Sequence, residues 1–256
     1  MNLDEVSVEI RPRRSWESID LGFRLARANA LPLWGAWLSV FLPVALSVCV
    51  LCKETPWLAA LLVWWFKPWF DRVALHVLSR AVFGATPRVR ETLRALPGMF
   101  RKGAIAAVLH MRFDAARSLN LALWQLEELP WTRWRQRVRL IESPVRRPAG
   151  WLTATCIYFE ATLVAAIFAL AYWMVPPALI DSAEAWWFAL GNQDELMTFG
   201  YLLTWMFAIC VVEPFYVAAG FGLYLNRRTE LEAWDIEIAF RRINKQRLDG
   251  ARKIAA

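Results

Sequence analysis

The chain has 256 residues, 58% of them hydrophobic and 21% charged, with 16 Trp and a formal net charge of +7; its mean hydropathy is +0.32. That balance excludes an ordinary water-facing globular surface. Trp in such numbers belongs where a side chain is apolar at one end and wet at the other, as at a membrane interface.

The first thirty residues are polar, and the first apolar run starts near Leu31, too far in and too long for a cleaved secretory segment. It is expected to stay as an anchor. Residues 31–52 (LPLWGAWLSVFLPVALSVCVLC) are apolar throughout and match the ~20 residues that cross a bilayer core, which makes them the first span. Cys49 and Cys52 close it in a C-x-x-C spacing. With no strand and helix of an oxidoreductase around them, they read as small buried hydrophobes, as do Cys156 and Cys210, so neither a disulfide framework nor a zinc site is expected.

Lys53, Glu54, Thr55 and Pro56 make a tight turn into a second span over 57–83. Lys67, Pro68, Asp71 and Arg72 interrupt it, and Pro68, which has no amide to donate, is expected to kink it. Lys67 and Asp71 share a face at i, i+4.

Residues 84–148 hold thirteen Arg and Lys against five acids. This is expected to be a cytoplasmic, interface-hugging region. Its apolar stretch 103–111 is about half a span long, so an interfacial or re-entrant helix is expected there, with an amphipathic helix over 119–129 beside it. Trp131, Arg133, Trp134, Arg135, Arg137 and Arg139 form a candidate face for docking a partner or lipid headgroups. Beside spans, anionic lipid is a nearer partner for these cations than nucleic acid, which is not expected.

No Lys or Arg occurs between residues 149 and 226, where 151–175 and 197–225 supply spans three and four. Between them, 176–196 reads as an acidic extracytoplasmic hairpin anchored by Trp186 and Trp187. The charged tail 226–256 reads as a cytoplasmic surface helix. Under the positive-inside rule, both termini fall in the cytoplasm. Similar charged helices flank the membrane region at either end (SWESIDLGFRLAR and TELEAWDIEIAFRR).

Ionisable groups inside spans cost ~3 kcal/mol or more unless paired or hydrated, which singles out Lys67, Asp71, Arg72, Glu160 and Glu213. At ~1.5 Å per residue, Lys67 and Glu160 both come out near mid-bilayer. The expectation is a buried polar cluster in which Lys67 or Arg72 pairs with Glu160 or Glu213, beside a local Lys67 to Asp71 contact. Such a cluster either fixes helix register, the simpler reading, or forms an ion pathway or a cavity for a polar headgroup. Pro214 is expected to kink the fourth span and to free a carbonyl one turn back, while Gly220 and Gly222 mark close helix packing. His76 and His110 have no metal-ligand spacing, and no catalytic or nucleotide motif accompanies them, so no cofactor, metal or enzymatic activity is expected.

Several strings carry a resemblance. They are Arg11 to Arg13 with Trp16, Glu17 and Asp20 to Gly22; LSRAVFG from Leu78; RSLN from Arg117 followed by Gln125 to Glu127; and EPFYVA from Glu213 through LNRRTELEAWD from Leu225. Together the chain resembles a family of proteobacterial inner-membrane proteins whose genes lie near those of MoxR-type AAA ATPases and von Willebrand A-type proteins. It is more loosely similar to the membrane domain associated with glycerophosphodiester phosphodiesterases. The first resemblance implies a membrane component of an ATPase-linked envelope assembly and carries over no catalytic residues.

The sequence thus reads as an all-α, four-span protein of a bacterial inner membrane with interfacial cytoplasmic helices. Its expected function is that of a non-enzymatic scaffold or accessory subunit partnered by a cytoplasmic ATPase or other membrane proteins. The alternative is a small transporter or channel component, possible as a homo-oligomer, built on the intramembrane charges.

Overall fold

A computed structural model describes residues 11–101, 111–174 and 195–232, with backbone alone at the edges of some segments. Among the described residues every regular element is helical: α1 (Ser15–Ala28), α2 (Ala30–Leu51), α3 (Pro56–Val82), α4 (Val89–Arg101), a short 3-10 helix (Met111–Phe113), α5 (Arg117–Glu127), α6 (Trp131–Glu142), α7 (Arg146–Met174) and α8 (Glu195–Glu232). The interfacial stretch 103–111, apart from Met111, the acidic hairpin through residue 194 and the tail beyond Glu232 lie outside the described residues.

Among the described residues three helices, Ala30–Leu51, Arg146–Met174 and Thr198–Glu232, are long and apolar enough to cross a membrane. At 27 residues α3 has the length but carries Lys67, Asp71 and Arg72 at its middle. It also runs without a break through Pro68, where the sequence reads as an interruption. The missing Pro68 amide removes one hydrogen bond, and the packing around a buried segment outweighs that loss. Likewise α8 does not stop at Leu225 but continues to Glu232, with Asn226 and Thr229 buried.

The α8 helix is the central post, packed against α1, α7, α5 and α3. The pairing with α1 is antiparallel and closely approached. A methyl group on Gly22 would run into the Ala218 carbonyl, so glycine is the only residue that admits this approach. The N-terminal end of α1 is pinned by Asn226, whose Oδ1 accepts from the Arg13 N–H at 2.7 Å and whose Nδ2 donates to the Arg13 carbonyl at 2.9 Å. On the other side of α8, Gly220 lets α5 approach through Ser118.

Turn chemistry sets the element ends. Asn29 closes α1 by donating both its backbone N–H and its Nδ2 to the Leu25 carbonyl. Pro56 opens α3 at a position that needs no amide, and Gly84, at φ 76°, ends it.

Large apolar side chains stand exposed along the long helices, among them Leu31, Val50 and Leu51 on α2, Trp151, Phe159 and Trp173 on α7, and Leu203 and Phe207 on α8. In water such a belt would be a liability; against hydrocarbon it costs nothing. The rest of the helices bury a continuous core around Trp37, Phe41, Leu75, Leu119 and Tyr216.

Candidate functional site

Four helices bring charged groups to one buried place. Lys67 on α3 reaches between two glutamates, with Nζ 2.7 Å from Glu160 Oε1 on α7 and 2.7 Å from Glu213 Oε2 on α8. Glu213 also accepts from Arg117, at the start of α5, whose Nη2 lies 2.5 Å from Glu213 Oε1. The Nε of the same guanidinium stands 3.5 Å from Asp71 Oδ2. All five are buried; Asp71 is 0% exposed and Glu213 1%.

The sequence-expected residues therefore meet in part. Lys67, Glu160 and Glu213 come together. Asp71 joins through Arg117, with which it forms its ion pair, and not through Lys67 as expected. Arg72 stays out: its guanidinium lies over the Trp124 ring, 4.8 Å from the centroid, and its carbonyl accepts from Gln125 Nε2. One residue further along a helix than Asp71 means ~100° of rotation, which turns Arg72 to another neighbour.

Arg117 is the member that sequence reading misses. It sits in a stretch where cations are common, so its charge carries no signal there. Only its place ahead of the apolar face of 119–129 marks it. The ring of Tyr216 lies 4.9 Å beneath its guanidinium. Tyr216 OH in turn accepts from the Ser118 N–H at 3.2 Å and pairs with Thr153 Oγ1 at 2.9 Å, which ties α5, α7 and α8 together at the site. Burial lowers the proton affinity of Arg117, but the neighbouring Tyr216, Glu213 and Asp71 outweigh it, so this guanidinium stays charged at any ordinary pH.

The cluster floors a cavity of about 1030 Å³ between α3, α5, α7 and α8. Its polar end presents Lys67, Glu160, Glu213, Arg112 and Asp114. Its other end runs along Ala161, Ala165, Phe168 and Ala169 of α7, faced by Tyr201 and Trp205 of α8. From Ala161 to Tyr172 that wall is about 16 Å long, close to the ~15 Å depth of one leaflet. Arg112 sits flat on Trp64, its guanidinium carbon 3.5 Å from the ring centroid, and its Nε and Nη1 are enclosed with no hydrogen-bond partner. Asp114 is better served, with Oδ1 accepting from the Ala116 N–H and Oδ2 from Asn120 Nδ2.

The proline expectation at α8 has a definite outcome. Pro214 frees the Cys210 carbonyl, and the indole N–H of Trp34 donates to it at 3.0 Å. Of the docking face on α6, Arg133, Arg135 and Arg139 are exposed, whereas Trp134 is buried. Arg137 is spent internally, bridging Glu127 at 2.9 Å and Glu232 at 2.5 Å. The side chain of Trp131 lies outside the described residues. Cys49 and Cys52 are free thiols, and Cys49 Sγ packs 3.6 Å from Met206 Sδ. Among the described residues no group of His, Cys, Asp and Glu is arranged to hold a metal ion.

No family model matches the chain, and neither curated proteins nor solved structures give a match. The site's own geometry carries the functional reading.

Proposed function

We propose that this chain is a multi-pass membrane protein that takes an amphiphilic molecule from the bilayer and holds its polar head on the Lys67 and Glu213 cluster, as a binding or transport component and not an enzyme. The observation that supports this is the shape of the cavity, charged at one end and walled by small apolar and aromatic side chains along the other. A cluster whose only task is to fix helix register needs no such groove beside it, and a concave, largely apolar site with a few convergent polar groups is the usual shape of a small-molecule site. In this reading α3 is a fourth span, its three charges tolerated because they face the bundle interior. The basic segments lie on the cytoplasmic side of a bacterial inner membrane.

A second reading keeps the protein as an accessory subunit of an ATPase-linked envelope assembly, in line with the family resemblance. The exposed arginines of α6, Arg133, Arg135 and Arg139, favour it as a cationic docking face. Trp134 is buried and Arg137 is bridged to Glu127, so of the described members of that face it is these three arginines that stand open to a partner. The two readings are compatible, since a subunit can present a ligand to its partner.

The test is native mass spectrometry of the protein extracted gently from its own membranes. A bound amphiphile at one per chain, absent from an Ala165→Trp variant that folds normally, supports the binding reading. A protein that carries no lipid, or carries the same lipid in the blocked variant, speaks against it.

A further inference from the structure

The charges that line the cavity sort into pairs with two members left over. Three cations line it, Lys67, Arg112 and Arg117, and three carboxylates, Asp114, Glu160 and Glu213. Lys67 serves Glu160 and Glu213, and Arg117 serves Glu213, while Asp71 stands behind Arg117 and off the lining. Among the described residues, Arg112 and Asp114 enter no ion pair, with each other or with any other group. They stand two positions apart on the stretch that joins the short helix to α5, so their backbones lie within ~7 Å.

The two are not equally satisfied. Asp114 accepts from the Ala116 N–H at 2.9 Å and from Asn120 Nδ2 at 2.5 Å, and a carboxylate has room for about two donors more. Arg112 lies on the Trp64 ring, 3.5 Å from its centroid, with Nε and Nη1 enclosed and given no acceptor. A ring face offsets part of a cation's charge but accepts none of the N–H bonds in the guanidinium plane. Arg112 lines the cavity, and Nη2 is the corner of its fork that the enclosure leaves out. A guanidinium fork without oxygens is an unfilled half of a bidentate contact, and a phosphate supplies the other half.

The neighbouring charge narrows the ligand further. An anion alone would satisfy Arg112 and be repelled by Asp114 beside it, and a cation alone would leave Arg112 as it is. A head that carries both charges, a phosphate diester joined to an ammonium, satisfies both and leaves the zero sum of the lining unchanged. Lys67 has three N–H donors, two of them committed to the glutamates, so one remains for a second phosphate oxygen.

We propose that the cavity is selective for a zwitterionic phospholipid, with the phosphate held by Arg112 and the ammonium set against Asp114. This rests on the amphiphile reading above and names the class of its ligand. The apolar wall of α7 and α8 takes the tails, and the stretch from the short helix to α5 reads the head.

The experiment is native mass spectrometry of the full chain, stripped of lipid in an uncharged maltoside detergent and offered an equimolar mixture of four dioleoyl lipids. They share their tails and differ in head: phosphocholine (both charges), phosphatidic acid (anion), trimethylammonium-propane (cation) and diacylglycerol (uncharged). The phosphocholine lipid should be enriched at least ~tenfold over each of the others. Arg112→Gln should remove that enrichment, Arg112→Lys, which keeps the charge and loses the fork, should keep part of it, and Asp114→Asn should move the preference toward phosphatidic acid. Glycerophosphocholine, the same head without tails, should displace none of the bound lipid. Equal uptake of the four heads, a single-charge lipid in the lead, an enrichment unchanged in Arg112→Gln, or displacement by the tail-free head overturns the assignment and leaves the cavity standing. If no lipid binds, or the same lipids bind to Ala165→Trp, the amphiphile reading itself fails, and the assignment with it.

Discussion

The indole N–H of Trp34 on α2 donates to the Cys210 carbonyl of α8 at 3.0 Å, and that carbonyl is the one Pro214 deprives of its helical partner. A proline in the middle of a 38-residue helix is thereby tolerated directly after Glu213, which delivers the site carboxylate. Trp34→Phe keeps the ring, which packs 4.9 Å from Phe215, and removes only the donor. It should cost about 1–3 kcal/mol in detergent unfolding. Pro214→Ala restores the amide, so in that background the same change should cost close to nothing. Equal costs in both backgrounds would mean that the bond is not replacing a lost one.

Lys67→Met leaves Glu160 and Glu213 without the cation they share, and breaking a buried pair this way costs about 3–5 kcal/mol. Adding Glu160→Gln should recover part of that loss, because one of the stranded charges goes with it. Equilibrium unfolding of the single and double variants measures the recovery; a further loss in the double variant would show that Glu160 is held by something other than Lys67.

Gly22→Val pushes a side chain into the Ala218 backbone of α8 and should separate α1 from the post, at a cost of about 1–3 kcal/mol or more. Gly150→Ala, on α7 with open space around it, should be neutral or slightly stabilising. Thermal unfolding of the two variants side by side separates close packing from a general sensitivity to glycine loss.

Arg112 lies outside the spanning helices, and burial, with Arg117 second, pushes its guanidinium down to about 10. Its folded value is below its unfolded one, so the protonated form is the one the fold disfavours. That cost is present at neutral pH and is relieved as pH rises through about 10. Arg112→Gln should therefore raise the thermal midpoint at neutral pH and lose the wild-type gain above pH ~10. A lower midpoint at neutral pH would mean that Arg112 has a stabilising partner.

The apolar helices were largely legible from the chain because run length alone selects them: 31–52 corresponds to Ala30–Leu51, and 151–175 falls within Arg146–Met174 apart from its last residue. Lys67, Glu160 and Glu213 stood out for the same reason, as charges where charge is expensive. What the pattern hides is anything that depends on small residues or on context. The close approach of α1 to α8 is made at Ser18 and Gly22, which carry no apolar signal, so the helix reads as a surface one. Arg117 is one cation among thirteen in its region, and only folding brings it to Glu213. The cavity has no sequence signature, because the alanines of α7 that form its wall look like any other span.

The central claim is that the space between α7 and α8 holds an amphiphile, and photocrosslinking tests it most directly. A photoactivatable amphiphile with the reactive group midway along its chain, added to membranes containing the protein, should label Ala165, Phe168 or Trp205, and Ala165→Trp should abolish that labelling. Labelling confined to outward-facing Phe159 and Phe207, unchanged in Ala165→Trp, would contradict the claim and leave the charged cluster as a device for holding helices together.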